Sequence, residues 1–251
     1  MPHSQRVRIL PEANTAVLFM HGICGSPNHF RQLLPLEDAV PEDWSLYNMV
    51  IDGHCKKVED FGRSSMKKWL TQVRAVFDEL CSTHQRVILA GHSMGTLFAI
   101  DLALRRPEKV PCIFLLAVPV RVFVKPIAVA NILRVGFHLV DENDPVQMSM
   151  VHACGIQTTR QFWKYIPWAP RMLELLHQGH VIGKQLSALQ VPAIAMQSRY
   201  DEMVSRRATR LLQKSGKVEV RILDGSTHFY YPPEDREMIV ECFQNTLRKF
   251  Q

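Results

Sequence analysis

A serine flanked by glycines lies where a short apolar segment gives way to a helical pattern. Residues 91–95 read Gly-His-Ser-Met-Gly; an apolar segment at 86–90 precedes them and a helical pattern at 97–106 follows. A hydroxyl nucleophile needs exposure and a nearby base, and a sharp strand-to-helix turn provides exposure by straining the serine backbone. Ser93 is therefore the candidate nucleophile, with Gly91 and Gly95 avoiding Cβ collisions. The alternative is a Gly-rich turn with a surface serine.

Two backbone N–H groups near this turn are candidates for stabilising an oxyanion. The helix predicted to begin beyond Ser93 aims the N–H of Met94 at the site. His21 and Gly22 close the first long apolar segment, and the next residue, Ile23, could supply a second N–H. Such a donor typically contributes about 3 kcal/mol in the transition state. The alternative is that His21 only caps a strand and Gly22 only makes a turn.

Asp201 is the candidate acid. It follows the apolar segment 192–197, and a carboxylate in a loop at the carboxyl end of a parallel strand faces the same crevice as Ser93. Its task would be to accept the Nδ1–H of an imidazole, which holds the correct tautomer and stabilises the imidazolium. Glu202 competes with it, Asp224 is disfavoured by its closeness in sequence to the candidate histidine, and a solvated loop aspartate is the remaining alternative.

His228 is the candidate base. It lies in a loop after the last apolar segment, 218–223. The chain has 11 histidines, so most of them must serve other purposes. His54, in another loop after a strand, is the main rival, whereas the turn geometry directs His92 away from the nucleophile.

Apolar segments alternate with amphipathic helical patterns along most of the chain. Helices are predicted over 65–84, with Ser64 or Ser65 as N-cap, and over 97–106, 206–215 and 234–250. This alternation predicts a mostly parallel, doubly wound α/β sheet. The last strand segment alternates more and is expected nearer a sheet edge. The predicted strands are 15–20, 46–51, 86–90, 112–118, 192–197 and 218–223.

The alternation breaks between residues 119 and 189. This region contains many aromatic residues and prolines, and its periodicity predicts helices over 127–140 and 171–189. We interpret 119–189 as an inserted helical cap on a core made of residues 1–118 and 190–251. Phe162, Trp163 and Trp168 are its candidate acyl-pocket residues. The alternative is a set of ordinary helices packed on the sheet.

Composition narrows the classes of partner. The 251 residues are 47% hydrophobic and 22% charged, which suits one globular core and disfavours disorder. The net charge of +6 comes from scattered basic residues. Nucleic-acid binding is therefore not expected, and at most a weak attraction to anionic membrane surfaces or substrates remains. The oligomeric state is not predicted.

No metal or cofactor is expected. His177 and His180 lie three residues apart without a third ligand nearby, and no phosphate-binding loop is present. The six cysteines form no metal-binding or redox pair, and no secretory signal pattern begins the sequence, so we expect reduced thiols in a cytoplasmic protein. The longest apolar stretch, 112–124, falls short of the ~20 residues that a membrane span needs.

Together, these pieces resemble the α/β-hydrolase superfamily, especially bacterial carboxylesterases and monoacylglycerol-lipase-like members. The matching pieces are the His21-Gly22 loop, Asp52-Gly53-His54, the serine turn and the loops of Asp201 and His228, in the family's order. The resemblance implies an eight-stranded sheet and a lid over an acyl pocket. Residues 22–25, Gly-Ile-Cys-Gly, depart from the Gly-Gly-Gly pattern of some lipases, which disfavours a bulky-ester lipase of that branch.

The function that this resemblance implies is hydrolysis of small-molecule carboxylic esters through an acyl-enzyme. Thioesterases and acyltransferases use the same triad, so they stay open as alternatives. A non-catalytic binding protein on the hydrolase scaffold and a membrane-surface protein are further alternatives.

Overall fold

Seven strands form a single sheet in the computed structural model, which describes residues 3–251. The sheet order is β1-β3-β2-β4-β5-β6-β7, and every neighbouring pair is parallel except β1 and β3. The mostly parallel sheet predicted from the sequence is thus confirmed, with β7 at an edge as expected. The strands are β1 (Arg6–Arg8), β2 (Thr15–Met20), β3 (Ser45–Asn48), β4 (Arg86–His92), β5 (Ile113–Leu116), β6 (Ala193–Ser198) and β7 (Val218–Leu223).

The sheet has one strand fewer than the eight that the family resemblance implies. Within the described chain, only the three-residue strand β1 precedes β2, and it pairs antiparallel with β3. Its Arg-Val-Arg sequence is too short and too polar to show a strand pattern, so sequence reasoning missed it. The predicted strand at 46–51 begins one residue earlier and ends at Asn48.

Helices cover both faces of the sheet. The predicted N-cap at Ser65 is confirmed, because its hydroxyl accepts the Lys68 N–H at 3.3 Å, while Ser64 donates to Asp52 instead. Among the described residues, no helix has the length and hydropathy that crossing a bilayer requires. The helices are α1 (Val58–Gly62), α2 (Met66–Thr83), α3 (Met94–Arg105), α4 (Pro126–Gly136), α5 (Pro145–Ala153), α6 (Ala169–Gln185), α7 (Arg207–Gln213) and α8 (Pro233–Arg248).

The position of β2 inside the sheet explains why residues 16–20 are all apolar. All six of its residues are buried, and successive side chains point to opposite faces of a strand. Leu18 packs in the cluster that contains Trp69 of α2, whereas Phe19 packs in the opposite cluster with Phe243 of α8. Burial on both faces is what a parallel strand between two helical layers requires.

The chain between β5 and β6 is helical and adds no strand to the sheet. It contains α4, α5, a 3-10 helix at Phe162–Trp168, and α6. The end of α6 and the turn after it belong to the main core, where Ile182 and Leu186 are buried. By contrast, α4 buries only Ala128 and Asn131.

Candidate active site

Ser93 lies at a strained turn between β4 and α3. Its backbone angles are φ 49° and ψ −120°, in a region that L-residues rarely occupy. The Ser93 N–H donates to the Leu116 carbonyl at 2.8 Å, which fixes the turn against β5. A Cβ on Gly95 would lie 1.9 Å from the carbonyl oxygen of Met20, and one on Gly91 would lie 2.6 Å from Gly95 backbone. Both glycines are therefore sterically required.

Asp201 and His228 are brought together from different loops. Asp201 follows β6 and His228 follows β7, and the His228 Nδ1–H donates to Asp201 Oδ2 at 2.9 Å. The other carboxylate oxygen of Asp201 accepts the N–H groups of Met203 at 2.8 Å and Val204 at 2.7 Å. Both side chains are almost completely buried, so the carboxylate holds the imidazole in one orientation.

The pKa values of His228 and Asp201 are shifted in opposite directions. Burial favours a lower pKa for His228, but the charge and hydrogen bond of Asp201 outweigh it, so the pKa lies above its usual value. Burial opposes ionisation of Asp201, yet its contacts with His228 and the two backbone N–H groups lower its pKa. The pair therefore favours a carboxylate that stabilises an imidazolium.

The competing acids have other partners. Glu202 Oε2 accepts the backbone N–H of His228 at 3.0 Å, so it holds the loop rather than the imidazole ring. Asp224 accepts a hydrogen bond from Arg199 Nε at 2.6 Å on the surface. Of the three acidic candidates, the structure brings only Asp201 to the ring of His228.

The rival histidine His54 supports the loop that contains Ile23. Its Nδ1–H donates to the Ile51 carbonyl at 3.2 Å, and its Nε2 accepts the Cys24 N–H at 3.1 Å. Burial lowers the pKa of His54 to about 4, so its ring is neutral near pH 7. Cys24 has φ 56°, and this hydrogen bond stabilises that left-handed conformation. Sequence reasoning missed this positioning role, although the Asp-Gly-His pattern had drawn attention to the residue.

His21 fixes the beginning of the same loop. Its Nε2 accepts the Ile51 N–H at 3.1 Å, and its Nδ1–H donates to the carbonyl of Gly22 at 2.9 Å. A Cβ on Gly22 would lie 3.0 Å from the Cβ of Ser93, so the loop backbone runs close to the Ser93 turn.

The two candidate oxyanion donors are the backbone N–H groups of Ile23 and Met94. Ile23 follows Gly22 and lines the cavity that Ser93 also lines. Met94 is the first residue of α3, so its N–H has no acceptor within the helix. Met94 thus follows Ser93 directly in the chain, and Ile23 lines the same cavity as Ser93.

The carbonyl oxygen of His228 also accepts hydrogen bonds from two side chains. His92 Nε2–H donates to the His228 carbonyl at 3.1 Å, and the Tyr231 hydroxyl donates to the same oxygen at 3.3 Å. The ring of His92 stacks on His29 at 3.7 Å between centroids. These contacts account for two buried histidines, and nothing in the local sequence pattern indicated them.

An apolar cavity of about 630 Å³ joins these loops to the helical region after β5. Ser93 and His228 line it. Its other walls include Ile132 of α4, Phe137 directly after α4, and Trp168. Phe162 also lines it, but Trp163 does not, contrary to the expectation that both form the pocket. Trp163 instead packs edge-on against Phe162, with 54% of its surface exposed.

Comparison with known proteins agrees with this architecture. The Hydrolase_4 family model, serine aminopeptidase S33, matches residues 11–144, which is more than half of the chain. No curated protein matches the sequence at a significant level.

Three solved structures illustrate the likeness in fold. A metagenome-derived lipolytic enzyme of the pair LipS and LipT aligns over 99% of this chain and 98% of its own, with a TM-score of 0.74 and 19% identity. A monoacylglycerol lipase from Paleococcus ferrophilus aligns over 96% and 98%, with a TM-score of 0.65 and 17% identity. The thioesterase domain from the curacin biosynthetic pathway aligns over 97% and 94%, with a TM-score of 0.60 and 18% identity.

At such identities these structures establish the fold, while the family model covers both the His21-Gly22 loop and the Ser93 turn. The chain therefore belongs to the Hydrolase_4 family, serine aminopeptidase S33, and is an α/β-hydrolase.

Proposed function

We propose that this protein hydrolyses carboxylic esters of hydrophobic acids, with Ser93, His228 and Asp201 as its catalytic triad. The observation that carries the proposal is the convergence of the strained Ser93 turn and the buried Asp201–His228 pair on one apolar cavity. The three residues also follow one another in the order used by α/β-hydrolases.

In the first half of the reaction, Ser93 Oγ attacks the ester carbonyl. Because Asp201 occupies Nδ1 of His228, Nε2 is the ring nitrogen available to accept the serine proton. The N–H groups of Ile23 and Met94 donate to the oxyanion of the tetrahedral intermediate. The C–O bond to the alcohol then breaks, and the alcohol leaves with the proton from His228.

In the second half, water cleaves the acyl-enzyme. His228 accepts a proton from the water as its oxygen attacks the acyl carbonyl. The second tetrahedral intermediate uses the same two N–H donors. Its collapse breaks the bond to Ser93 Oγ, which recovers its proton from His228, and the carboxylic acid is released.

The cavity lining argues for an ester rather than a peptide with a free amino terminus. Apart from His228, the described lining residues include no Asp, Glu, Lys or Arg. A substrate ammonium would be buried there without a carboxylate partner, which is costly. An uncharged acyl chain instead gains about 0.8 kcal/mol for each methylene buried.

The helical region completes the proposed pocket. We interpret residues 119–189 as a cap on a core of residues 1–118 and 190–251, because this region supplies Ile132, Phe137 and Phe162 to the cavity wall.

All six cysteines are free thiols, which suits the reducing cytoplasm.

The test combines covalent labelling with turnover. Wild type, Ser93→Ala and the surface control Ser82→Ala would be treated with a fluorophosphonate probe and assayed on nitrophenyl esters of increasing acyl length. We expect Ser93→Ala to lose labelling and at least about 10⁴-fold in kcat, with Ser82→Ala unchanged. The kcat/KM of wild type should rise about fourfold per methylene until the cavity is filled.

The outcomes separate the competing functions. Faster turnover of a matched thioester would identify a thioesterase, and transfer of the acyl group to an added alcohol would identify an acyltransferase. Absence of labelling in folded wild-type protein would contradict the proposal and favour a binding protein on the hydrolase scaffold.

A further inference from the structure

Helix α4 carries its apolar side chains on the solvent side. Ile127, Val129, Ile132 and Leu133 are between 44% and 54% exposed, whereas the polar Asn131 is 4% exposed. A surface helix of a globular protein normally shows the opposite arrangement. Within residues 3–251, these four side chains of α4 therefore leave about half of their surface without a packing partner.

The exposed surface of α4 extends onto the neighbouring helical segments. The Tyr165 hydroxyl donates to the Gly136 carbonyl at 3.1 Å and so ties the 3-10 helix to the end of α4. Twelve of the seventeen large apolar side chains that the described chain exposes lie within 119–189, although this region is less than a third of the sequence. These twelve form the apolar face: Phe123, Val124, Ile127, Val129, Ile132, Leu133, Leu139, Phe162, Trp163, Ile166, Leu173 and Leu176.

Part of the apolar face also lines the cavity that contains Ser93. Five of its members are both exposed and part of the cavity lining: Val124, Ile132, Leu133, Phe162 and Leu176. These five side chains therefore connect the protein surface with the cavity that contains Ser93. An exposed apolar patch of this extent marks an interaction site.

Positive charge borders one end of this face. Hydrogen bonds hold residues 121–125 beside 202–205, including Ser205 N–H to the Arg121 carbonyl at 2.8 Å. The basic flank comprises five cationic residues on these segments and on α7: Arg121, Lys125, Arg206, Arg207 and Arg210. None of the five forms an ion pair within residues 3–251.

The acidic residues nearby do not cancel this charge. Asp201 and Glu202 are buried and engaged with the His228 loop. Asp141, Glu142 and Asp144 follow α4 and lie beyond its other end. The basic flank is thus next to the start of α4, where Phe123 and Ile127 are exposed.

We propose that the apolar face docks onto a bilayer that contains anionic phospholipid, with the basic flank against the headgroups. Such a surface offers both partners at once, because its acyl layer accepts apolar side chains and its anionic headgroups attract Lys and Arg. In this orientation the cavity mouth faces the lipid, so a hydrophobic substrate would pass from the bilayer to Ser93 without crossing water.

The test is cosedimentation of the full chain with lipid vesicles. Wild type should sediment with vesicles of equimolar phosphatidylcholine and phosphatidylglycerol, and less with phosphatidylcholine alone. The triple variant Phe123→Ser/Ile127→Ser/Ile166→Ser should partition at least about tenfold more weakly. Its control, Ile9→Ser/Ile222→Ser/Met238→Ser, removes three exposed apolar side chains outside the apolar face and should bind as wild type does.

Neither triple variant changes a residue of the cavity lining, so turnover of a soluble short-chain ester should be retained and would verify folding. The variant Arg121→Gln/Arg206→Gln/Arg207→Gln should lose the preference for anionic vesicles. Equal binding of wild type to both vesicle types would overturn the role of the basic flank.

Two results would overturn docking altogether. One is wild-type protein that stays in the supernatant, and the other is equal binding by the two serine triple variants. If wild type fails to bind vesicles but is a dimer that the apolar-face variant converts to a monomer, a second copy covers this face instead. Ser93→Ala should bind vesicles normally, so loss of docking and loss of the proposed catalysis are distinguishable.

Discussion

The loops around Ser93 and the helices around α4 differ in which side chains they bury: polar ones near Ser93, whereas α4 leaves large apolar ones exposed. Near Ser93, the buried rings of His54 and His92 form hydrogen bonds with the backbone. In the apolar face, hydrocarbon is exposed while Asn131 is buried. Buried hydrogen bonds fix positions to a fraction of an ångström, whereas exposed apolar surface needs only a partner that excludes water. The first arrangement suits chemistry, and the second suits docking and substrate capture.

Among the buried histidines, His228 differs from four others in the direction of its pKa shift. Burial lowers the pKa of four of them, while the pKa of His228 is raised because Asp201 and Glu202 lie beside it. A carboxylate partner therefore distinguishes the candidate base from its neighbours, and burial alone does not. The four histidines with lowered pKa values are His21, His29, His54 and His92.

After the loss expected for Ser93→Ala, the largest effect should come from breaking the carboxylate–imidazole pair. Asp201→Asn keeps the shape of the side chain but removes the charge and permits the wrong imidazole tautomer, so we expect kcat to fall by about 10³- to 10⁴-fold. Steady-state assays on a nitrophenyl ester would measure the loss. Asp224→Asn is the control, since that exposed carboxylate pairs with Arg199 and should leave kcat unchanged. Comparable losses in the two variants would contradict the assignment of Asp201.

An intermediate effect should distinguish two adjacent aromatic residues of the proposed cap. Phe162 lines the cavity and Trp163 does not, so Phe162→Ala should reduce kcat/KM for long-chain esters by about tenfold relative to acetate. Trp163→Ala should leave the chain-length profile unchanged. Kinetics across an acyl series would check both, and a changed profile for Trp163→Ala alone would refute the present description of the pocket wall.

The smallest effect should be a shift in pH dependence. His228 must be neutral to act as a base, and its pKa is raised, so kcat/KM should fall as the pH drops through a value above 6.5. Glu202→Gln retains an oxygen that can accept the His228 N–H but removes a charge that raises this pKa. The acid limb should therefore move to lower pH, with little change in the plateau. A limb that stays in place would show that Glu202 does not influence the titration of His228.

Much of the framework follows from local sequence patterns. Strands such as β2 and helices such as α2 appear as apolar runs and amphipathic periods, because burial on two faces or one face imposes those patterns. The Ser93 turn is equally local, since a strand, five residues and a helix lie together in the chain. The position of β7 at the sheet edge was also predictable from its stronger alternation.

Other features depend on where a side chain points in the folded protein, and adjacent residues can point in different directions. Asp201 and Glu202 are adjacent in sequence, yet one carboxylate meets the imidazole and the other meets the backbone of the same histidine. Phe162 and Trp163 diverge in the same way. Strand β1 has only three residues and is defined by its pairing with β3, so no local pattern could indicate it.

The sequence by itself determined the alternation of strands and helices, the Ser93 turn and the order of the three candidate catalytic residues, because these features rest on short-range periodicity and steric demand. Only the tertiary structure decided which carboxylate reaches His228, which histidines hold the Ile23 loop, and that α4 turns its apolar side outward. Those outcomes depend on how distant segments pack, and a side chain's identity does not specify the direction in which the folded backbone points it.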